Sequence, residues 1–242
     1  MKQTKLIMGM PITLEVVDEH VTGADFRDIF AFFRKVDQKF SPYKKSSEVS
    51  KINRKEITVD KYSPEMVEIL RLSGEIKKKT HGYFDVYHNG YLDPSGIVKG
   101  WAIQKAAEIV RLRGFRNFFI DAGGDIQVDG MKNGKKWRVG IKNPFNTDEV
   151  IKIVHLSNEA IATSGTYIRG DHIYNPLKKN KQMVEIVSLS VLSKTILEAD
   201  LLATAAFAMG RKGIEFINSY RGADGYMIDN KGIATYTQGF IR

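Results

Sequence analysis

The sequence feature that most constrains the fold is a helical segment of almost entirely apolar or small residues, which runs from near Ser193 to Gly210. After Glu198 the exceptions are Asp200 and Thr204, which are four positions apart and therefore lie on one face of the helix. A carboxylate buried without a partner in such a helix would cost on the order of several kcal/mol. Asp200 therefore needs a cation or several hydrogen-bond donors nearby.

Two interpretations of this polar face follow from the residues alone. Two oxygen ligands on one helical face suit Mg²⁺, which takes one or two protein carboxylates and completes its coordination with other oxygens, water or phosphate. Alternatively, Asp200 bonds to neighbouring backbone, and the Thr204 hydroxyl bonds back to the carbonyl four residues earlier.

A second segment with functional chemistry runs from Asp93 to Ala102 and reads DPSGIVKGWA. The Asp, Pro, Ser and Gly at its start favour a turn, and the spacing of the apolar residues after them predicts a helix from Lys99 to Gly114. Backbone amides at a helix N-terminus, together with a mobile lysine, suit the binding of phosphate. An ordinary capped helix is the alternative.

The composition limits the classes of protein that the chain can belong to. Its 242 residues suffice for one large domain or two small ones. There is no run of about 20 apolar residues and no apolar leader, so we expect a cytoplasmic protein without a membrane span. The same sequence would remain after the removal of an export leader. The absence of cysteine excludes disulfides, thiolate metal sites and cysteine nucleophiles.

The formal net charge of +9 raises the question of a polyanionic partner. However, the lysines form short clusters at predicted helix ends and turns, at positions 77–79, 135–136 and 178–179. There is no long basic arm or recognisable nucleic-acid module, so we expect no nucleic-acid partner.

The order of the predicted elements indicates an α+β fold, with helices packed on one side of mainly antiparallel sheets. Apolar residues at helical spacing predict a helix from Phe26 to Lys39 and another from Pro64 to Thr80, with a short capped helical turn between them from Ser46 to Asn53. Strands are predicted at 5–17, 117–121, 125–128, 137–141, 150–156, 160–163, 226–228 and 234–238.

Eight short motifs, taken in order along the chain, resemble the ApbE family of flavin transferases. They are MGM (8–10), FSPYKKSSEVSKIN (40–53), GYFDV (82–86), DPSGIVKGWA (93–102), DAGGDI (121–126), ATSGTY (162–167), HIYNP (172–176) and ADLLATA (199–205). The chain departs from the family pattern at Met10, Pro94, Ser95 and Trp101, where the family has Thr, Leu, Gly and Tyr.

The resemblance implies a protein that binds FAD with Mg²⁺ and transfers the FMN moiety to a Ser or Thr hydroxyl of an acceptor flavoprotein, releasing AMP. It implies metal ligands at Asp200, Thr204 and the backbone carbonyl of Gly96. It also implies catalytic roles for Asp200 and for His172, the latter as a candidate base. The residues that it implies for FAD binding are Met8, Tyr43, Tyr83, Phe84, Asp85, Asp93, Lys99 and His172.

The resemblance further implies a fold of two related T-fold-like halves, with the ligand cleft between them. We expect a single domain over residues 1–242, with halves at about 1–115 and 116–242 that meet near Gly114.

Two other classes of function remain open from the sequence. If water replaced the acceptor hydroxyl, the same residues would make a Mg²⁺-dependent FAD pyrophosphatase that yields FMN and AMP. The third class is a non-catalytic FAD-binding protein, or a polyanion-binding protein that uses the net charge of +9.

Overall fold

The structure is a computed structural model that describes residues 1–166, 176–177 and 185–241. Its helices are α1 (Gly23–Phe40), α2 (Glu48–Asn53), α3 (Pro64–Lys79), α4 (Ser95–Leu112), α5 (Ile196–Ala208) and α6 (Lys212–Ser219). Its strands are β1 (Lys2–Ile7), β2 (Met10–Val16), β3 (Tyr87–His88), β4 (Tyr91–Leu92), β5 (Phe118–Ala122), β6 (Asp125–Asp129), β7 (Trp137–Asn143), β8 (Asn146–Leu156), β9 (Glu159–Gly165), β10 (Ile186–Ser193), β11 (Asp224–Asp229) and β12 (Ala234–Tyr236).

Eight of these strands form one antiparallel sheet in the order β1-β2-β5-β6-β9-β10-β11-β12. The helices pack on one face of this sheet and form the larger hydrophobic core with it. The β7–β8 ribbon covers part of the other face, where Trp137 and Val154 belong to a smaller core. The predicted α+β class is therefore confirmed. Among the described residues, no helix is both long enough and apolar enough to cross a membrane.

The connectivity of the sheet repeats itself. Strands β1 and β2 form a hairpin that is followed by helices and then by the β5–β6 hairpin, and the strands from β9 to β12 are connected in the same way through α5 and α6. The two groups of four strands meet where β6 pairs with β9. The division into two related halves stays a proposal, and this connectivity supports a boundary between β6 and β9 rather than near Gly114.

Several elements differ from the sequence prediction. The segment 5–17, predicted as one strand, is a hairpin of β1 and β2, and the short strands β3 and β4 were not predicted. Helix α4 begins at Ser95, four residues before the predicted Lys99. Its N-cap residue is Pro94, and Asp93 Oδ1 accepts a hydrogen bond from the Ser95 amide at 3.0 Å, which satisfies the first backbone donor of the helix. Strand β10 was not predicted at all. Its alternate positions include Ser188 and Ser190, which resemble loop residues in the sequence but are buried in the structure.

The capping box at the start of α1 makes a pH-dependent contribution to stability. The Thr22 hydroxyl oxygen accepts a hydrogen bond from the Asp25 amide, and the Asp25 carboxylate accepts from the Thr22 amide at 2.9 Å and from the Thr22 hydroxyl at 2.6 Å. These bonds with Thr22, together with a smaller effect of Arg113, lower the pKa of Asp25 from 3.8 to about 2. The contribution is therefore fully present above the unfolded-state pKa near 3.8 and is lost as the pH falls through about 2.

We expect Thr22→Ala to lower the free energy of unfolding by about 1 kcal/mol at pH 7, because it removes this cap. The loss should become smaller as the pH is lowered towards about 2, where Asp25 takes up its proton in the folded state as well. Urea unfolding of both proteins across this pH range measures the difference. A loss that did not change with pH would contradict the assignment.

Candidate functional site

The candidate site is a cleft of about 430 Å³ between the α1 to α4 region on one side and the end of β9 with the polar face of α5 on the other. This volume falls in the usual range for small-molecule sites. The cleft is lined by residues from the β1–β2 turn, the end of α1, the segment before α4, the start of α4 and the polar face of α5. Its lining includes Met8, Tyr43, Tyr83, Phe84, Asp85, Asp93, Gly96, Lys99, Gly123, Thr163, Asp200 and Thr204.

Every FAD-binding and metal-ligand position that the sequence implied is therefore part of this lining, with one exception. His172 lies outside the residues that the structure describes. The structure brings the other positions together from five separate parts of the chain, although their roles towards a ligand stay predictions.

The outer wall of the cleft contains one residue with an unusual backbone conformation and one with a highly exposed aromatic ring. Met8 has a left-handed backbone with φ 57° in the tight turn between β1 and β2, so it reaches the cleft from a conformation that most residues avoid. Tyr43 follows the end of α1 and is 93% exposed, so its ring is available to stack on a planar ligand.

The inner wall is formed by the segment between α3 and α4. Phe84 is buried, and a Cβ built on Gly96 would lie 3.4 Å from its ring, so the first turn of α4 packs directly on this aromatic side chain. The Phe84 amide donates to the Thr80 hydroxyl at 3.2 Å. Asp85 is held by an ion pair with Lys77 at 2.6 Å and by the Tyr87 amide at 3.0 Å.

The start of α4 differs from the phosphate-binding turn that the sequence predicted. The Asp93 carboxylate accepts from both the amide and the hydroxyl of Ser95, so this amide is already occupied by the protein. Lys99 lies one turn inside the helix and forms ion pairs, so its ammonium is not the mobile cation that was predicted. Lys99 nevertheless lines the cleft, which agrees with a role near an anionic ligand.

Asp200 is the buried carboxylate at the floor of the cleft. It is 3% exposed, and its Oδ2 atom accepts a hydrogen bond from the Gly100 amide of α4 at 2.9 Å. Its Oδ1 atom lies 3.6 Å from the Lys99 ammonium. Burial raises the pKa of Asp200 well above its usual value, the charge of Lys99 opposes this rise, and Asp125 adds to it.

Part of the non-metal interpretation is thus correct, because Asp200 does bond to neighbouring backbone. The other part is wrong: among the described residues, the Thr204 hydroxyl makes no hydrogen bond to the Asp200 carbonyl. In an α-helix the Gly100 amide would bond to the Gly96 carbonyl. In this structure the Gly100 amide donates to Asp200 Oδ2, so Asp200 lies beside the helical turn that begins at Gly96.

The donor set fits a hard cation. Asp200 supplies one carboxylate, Thr204 supplies a hydroxyl one turn later, and the Cβ position of Gly96 is 3.9 Å from Thr204 Cγ2, so the start of α4 adjoins the same face. The described ranges contain no group of three or more His, Cys, Asp or Glu side chains suited to a metal ion. A site with one carboxylate and neutral oxygens suits Mg²⁺, which completes its coordination with water and phosphate.

Three residues that matter for this geometry were not among the predicted site residues. Asp125 forms an ion pair with Lys99, and Gly100 donates its amide to Asp200. Asp125 and Gly100 belong to motifs that were visible in the sequence. Nothing in the sequence, however, indicated that they contact Lys99 and Asp200. The third residue, Asn53, belongs to the FSPYKKSSEVSKIN motif and acts as a scaffold residue.

Asn53 ties α2 to the β3–β4 hairpin beside the cleft. Its side-chain amide donates to the Leu92 carbonyl at 2.9 Å, and its side-chain oxygen accepts from the Leu92 amide at 2.8 Å. In the same motif, Glu48 accepts from the amide and hydroxyl of Ser63 at the start of α3. The polar residues of this motif therefore hold the cleft wall in place.

We expect Asn53→Ala to lower the free energy of unfolding by about 1–3 kcal/mol, since it leaves two partly buried backbone groups of Leu92 without their partner. Lys51→Ala on the exposed face of the same helix is the matched control and should change stability by less than about 0.5 kcal/mol. Denaturant unfolding measures both variants. Equal effects of the two substitutions would contradict the scaffold role.

Comparison with known proteins gives a consistent result. A family model described as the ApbE family matches residues 8–90 and 87–227. Among curated proteins, an FAD:protein FMN transferase from Vibrio cholerae is 33% identical over 132 residues, which cover 50% of this chain and 40% of that protein. One from Escherichia coli K12 is 27% identical over 152 residues, which cover 59% of this chain and 43% of that protein. The chain therefore spans about two fifths of the length of these relatives in the aligned regions.

Solved structures show the same fold. The flavin transferase ApbE from Vibrio cholerae has a TM-score of 0.86 at 22% identity, with 99% of this chain and 97% of that chain covered. The ApbE protein from Thermotoga maritima has a TM-score of 0.88 at 21% identity, with 99% and 97% covered. At this level of identity the likeness establishes the α+β architecture.

Proposed function

The chain belongs to the ApbE family, and from this membership we propose that it transfers the FMN moiety of FAD to a Ser or Thr hydroxyl of an acceptor flavoprotein. The transfer would depend on Mg²⁺ and would release AMP. Curated relatives that carry the name FAD:protein FMN transferase support the flavin chemistry. The remaining support comes from the cleft itself.

The observation that carries the proposal is the oxygen-rich face at the floor of the cleft. The Asp200 carboxylate and the Thr204 hydroxyl lie on one face of α5, next to the start of α4 with Gly96 and Lys99. A carboxylate with its pKa raised by burial and only partly balanced by a lysine has an unmet need for positive charge. A divalent cation meets that need, and it can bind a pyrophosphate at the same time.

The reaction is a displacement at the FMN-side phosphorus of FAD. The acceptor hydroxyl oxygen forms a new bond to this phosphorus, and the bond from the same phosphorus to the bridging oxygen breaks. AMP leaves with the bridging oxygen, and the hydroxyl proton passes to a base. The products are a phosphoester-linked flavin on the acceptor and AMP, so atoms and charge are conserved.

The residues of the cleft would act by binding and orientation. Tyr43 and Phe84 provide aromatic surface for the flavin or adenine ring, and Met8 lines the same cleft. Lys99 would lie near the pyrophosphate, where charge accumulates during the displacement. Tyr83, Asp85 and Asp93 are proposed to contact FAD as well, and His172 is proposed as the base that accepts the hydroxyl proton.

Asp200, Thr204 and the Gly96 carbonyl would hold the Mg²⁺. When bound, Mg²⁺ supplies positive charge that offsets the negative charge on the phosphate oxygens. The protein's own contribution is to keep Asp200 buried and oriented by the Gly100 amide.

The decisive experiment is incubation of the protein with FAD, Mg²⁺ and a candidate acceptor flavoprotein, followed by intact-mass measurement. The expected result is one added FMN on the acceptor and an equal amount of AMP. Omission of the acceptor tests the alternative: release of FMN and AMP at the same rate would identify a pyrophosphatase. Flavin binding without either product would identify a non-catalytic FAD-binding protein.

A further inference from the structure

Asp125 is a buried carboxylate beside the candidate site, and the reaction above gives it no role. Its side chain is 1% exposed, and its Oδ1 atom accepts a hydrogen bond from the Thr163 amide at 3.1 Å. Its Oδ2 atom forms an ion pair with the Lys99 ammonium. The β5–β6 turn, with Gly123 and Gly124 at positive φ, brings Asp125 to this position at the first residue of β6.

The Lys99 ammonium thus lies between two buried carboxylates and is not shared equally between them. It is in direct contact with Asp125, whereas it is 3.6 Å from Asp200 Oδ1. The other oxygen of Asp200 is already bound by the Gly100 amide. An ammonium that moved fully onto Asp200 would occupy the carboxylate oxygen that a divalent cation needs.

We propose that Asp125 is a positioning residue, which holds the Lys99 ammonium at the β6 side and thereby keeps Asp200 available to a divalent cation. This inference rests on the proposed function, since it assumes that the cation binds at Asp200. In this role Asp125 acts through Lys99 rather than as a ligand of the cation, and its carboxylate also interacts with that of Asp200. Its second bond, to the Thr163 amide, anchors the carboxylate to β9.

The test is a titration of FAD binding with Mg²⁺ in the absence of an acceptor. The initial change in flavin fluorescence is the signal that reports binding. Asp125→Asn should raise the Mg²⁺ concentration at half-maximal binding by about 10- to 100-fold. Saturating Mg²⁺ should restore FAD binding to the level of the unchanged protein. A residue with a merely structural role would reduce the folded fraction, and excess Mg²⁺ would not correct this loss.

Asp121→Asn is the matched control, because it removes a carboxylate from the same β5–β6 turn. Asp121 bonds to the Gly124 amide, and the cations that act on it are Lys142 and Lys2 rather than Lys99. Its Mg²⁺ midpoint should stay close to that of the unchanged protein. A shift as large as that of Asp125→Asn would overturn the inference, since it would reveal a general effect of charge.

The double variant Lys99→Met/Asp125→Asn removes both charges of the buried pair and keeps the inference testable if Asp125→Asn alone fails to fold. Because Lys99 is itself a proposed FAD contact, this variant is titrated with Mg²⁺ alone, through the shift in thermal unfolding temperature without FAD. Its Mg²⁺ midpoint in this assay should be no higher than that of the unchanged protein, because nothing then competes for Asp200. A midpoint raised about tenfold or more would show that Asp125 acts on the cation directly and would overturn the inference.

If the unchanged protein binds FAD without any dependence on Mg²⁺, the proposed function itself fails. A Mg²⁺-dependent protein with an unshifted Asp125→Asn variant would overturn only this inference.

Discussion

Asp200→Asn is expected to reduce Mg²⁺-dependent FMN transfer by at least about 100-fold while leaving the protein folded. Asparagine keeps an oxygen that can accept the Gly100 amide, so the contact between α4 and α5 persists. It removes the negative charge that a divalent cation needs. Because burial disfavours the charged carboxylate, its removal should leave the thermal unfolding temperature unchanged or raise it in the absence of ligand. Mass measurement of the acceptor and thermal unfolding with and without FAD and Mg²⁺ report the two effects.

A matched control is Asp229→Asn, which changes another carboxylate with little exposed surface that is not part of the cleft lining. Asp229 accepts hydrogen bonds from the Ile233 and Lys231 amides and from Arg211, and these bonds lower its pKa. This variant should lose stability and retain FMN transfer per folded molecule, the reverse of Asp200→Asn. Full transfer by Asp200→Asn at ordinary Mg²⁺ concentrations would refute the metal assignment.

This contrast also shows which parts of the site the sequence could predict. The shared face of Asp200 and Thr204 follows from the helical period alone, so it was visible without coordinates. The partners of Asp200 were not, because Gly100 is 100 residues away along the chain and belongs to a different helix. Likewise, the pairing of Lys99 with Asp125 depends on how α4 packs over the sheet.

The fold shows the same division between local and long-range information. The apolar stripe of α1 was predicted because its phenylalanines recur at helical spacing, and five of the stripe residues are buried: Phe26, Ile29, Phe30, Phe33 and Val36. Strand β10 was missed because sequence patterns treat serine as a solvent-facing residue, whereas Ser190 is fully buried and bonds to the Thr163 hydroxyl on β9 at 2.8 Å. Short polar side chains on neighbouring strands can therefore hydrogen-bond to each other while buried. The alternation of polar and apolar residues in the sequence does not reveal such a pair.

The start of α4 illustrates how a side chain can move an element boundary. The sequence pattern predicted the helix from Lys99, but the helix begins four residues earlier, where the Asp93 carboxylate accepts a hydrogen bond from the amide of its first residue, Ser95. The earlier start places Gly96 and Gly100 on consecutive turns of the same helix, facing α5. The exchange of the family's Leu and Gly for Pro94 and Ser95 is compatible with this helix start, because Pro94 has φ −84° at the N-cap and Ser95 bonds to Asp93.

Gly100→Ala is the second substitution with a large expected effect. A Cβ at position 100 would lie 2.9 Å from both Cβ and Oδ2 of Asp200 and 3.2 Å from the Ile196 carbonyl, so α4 and α5 would have to move apart. Overpacking of this kind costs about 1–3 kcal/mol in the free energy of unfolding. The same movement displaces Asp200 from the Gly100 amide, so FMN transfer per folded molecule should fall as well. Chemical denaturation and the acceptor mass assay measure the two losses.

Gly74→Ala provides the matched control within α3, because a Cβ at position 74 meets no atom within 4 Å. There the substitution should stabilise the protein by about 0.5–1 kcal/mol, since alanine loses less backbone entropy than glycine in a helix. Opposite signs for two identical substitutions in helix interiors would show that the close approach of α4 to α5, rather than helix propensity, determines the glycine at position 100. If Gly100→Ala were as stable and as active as the unchanged protein, that approach could not be what orients Asp200.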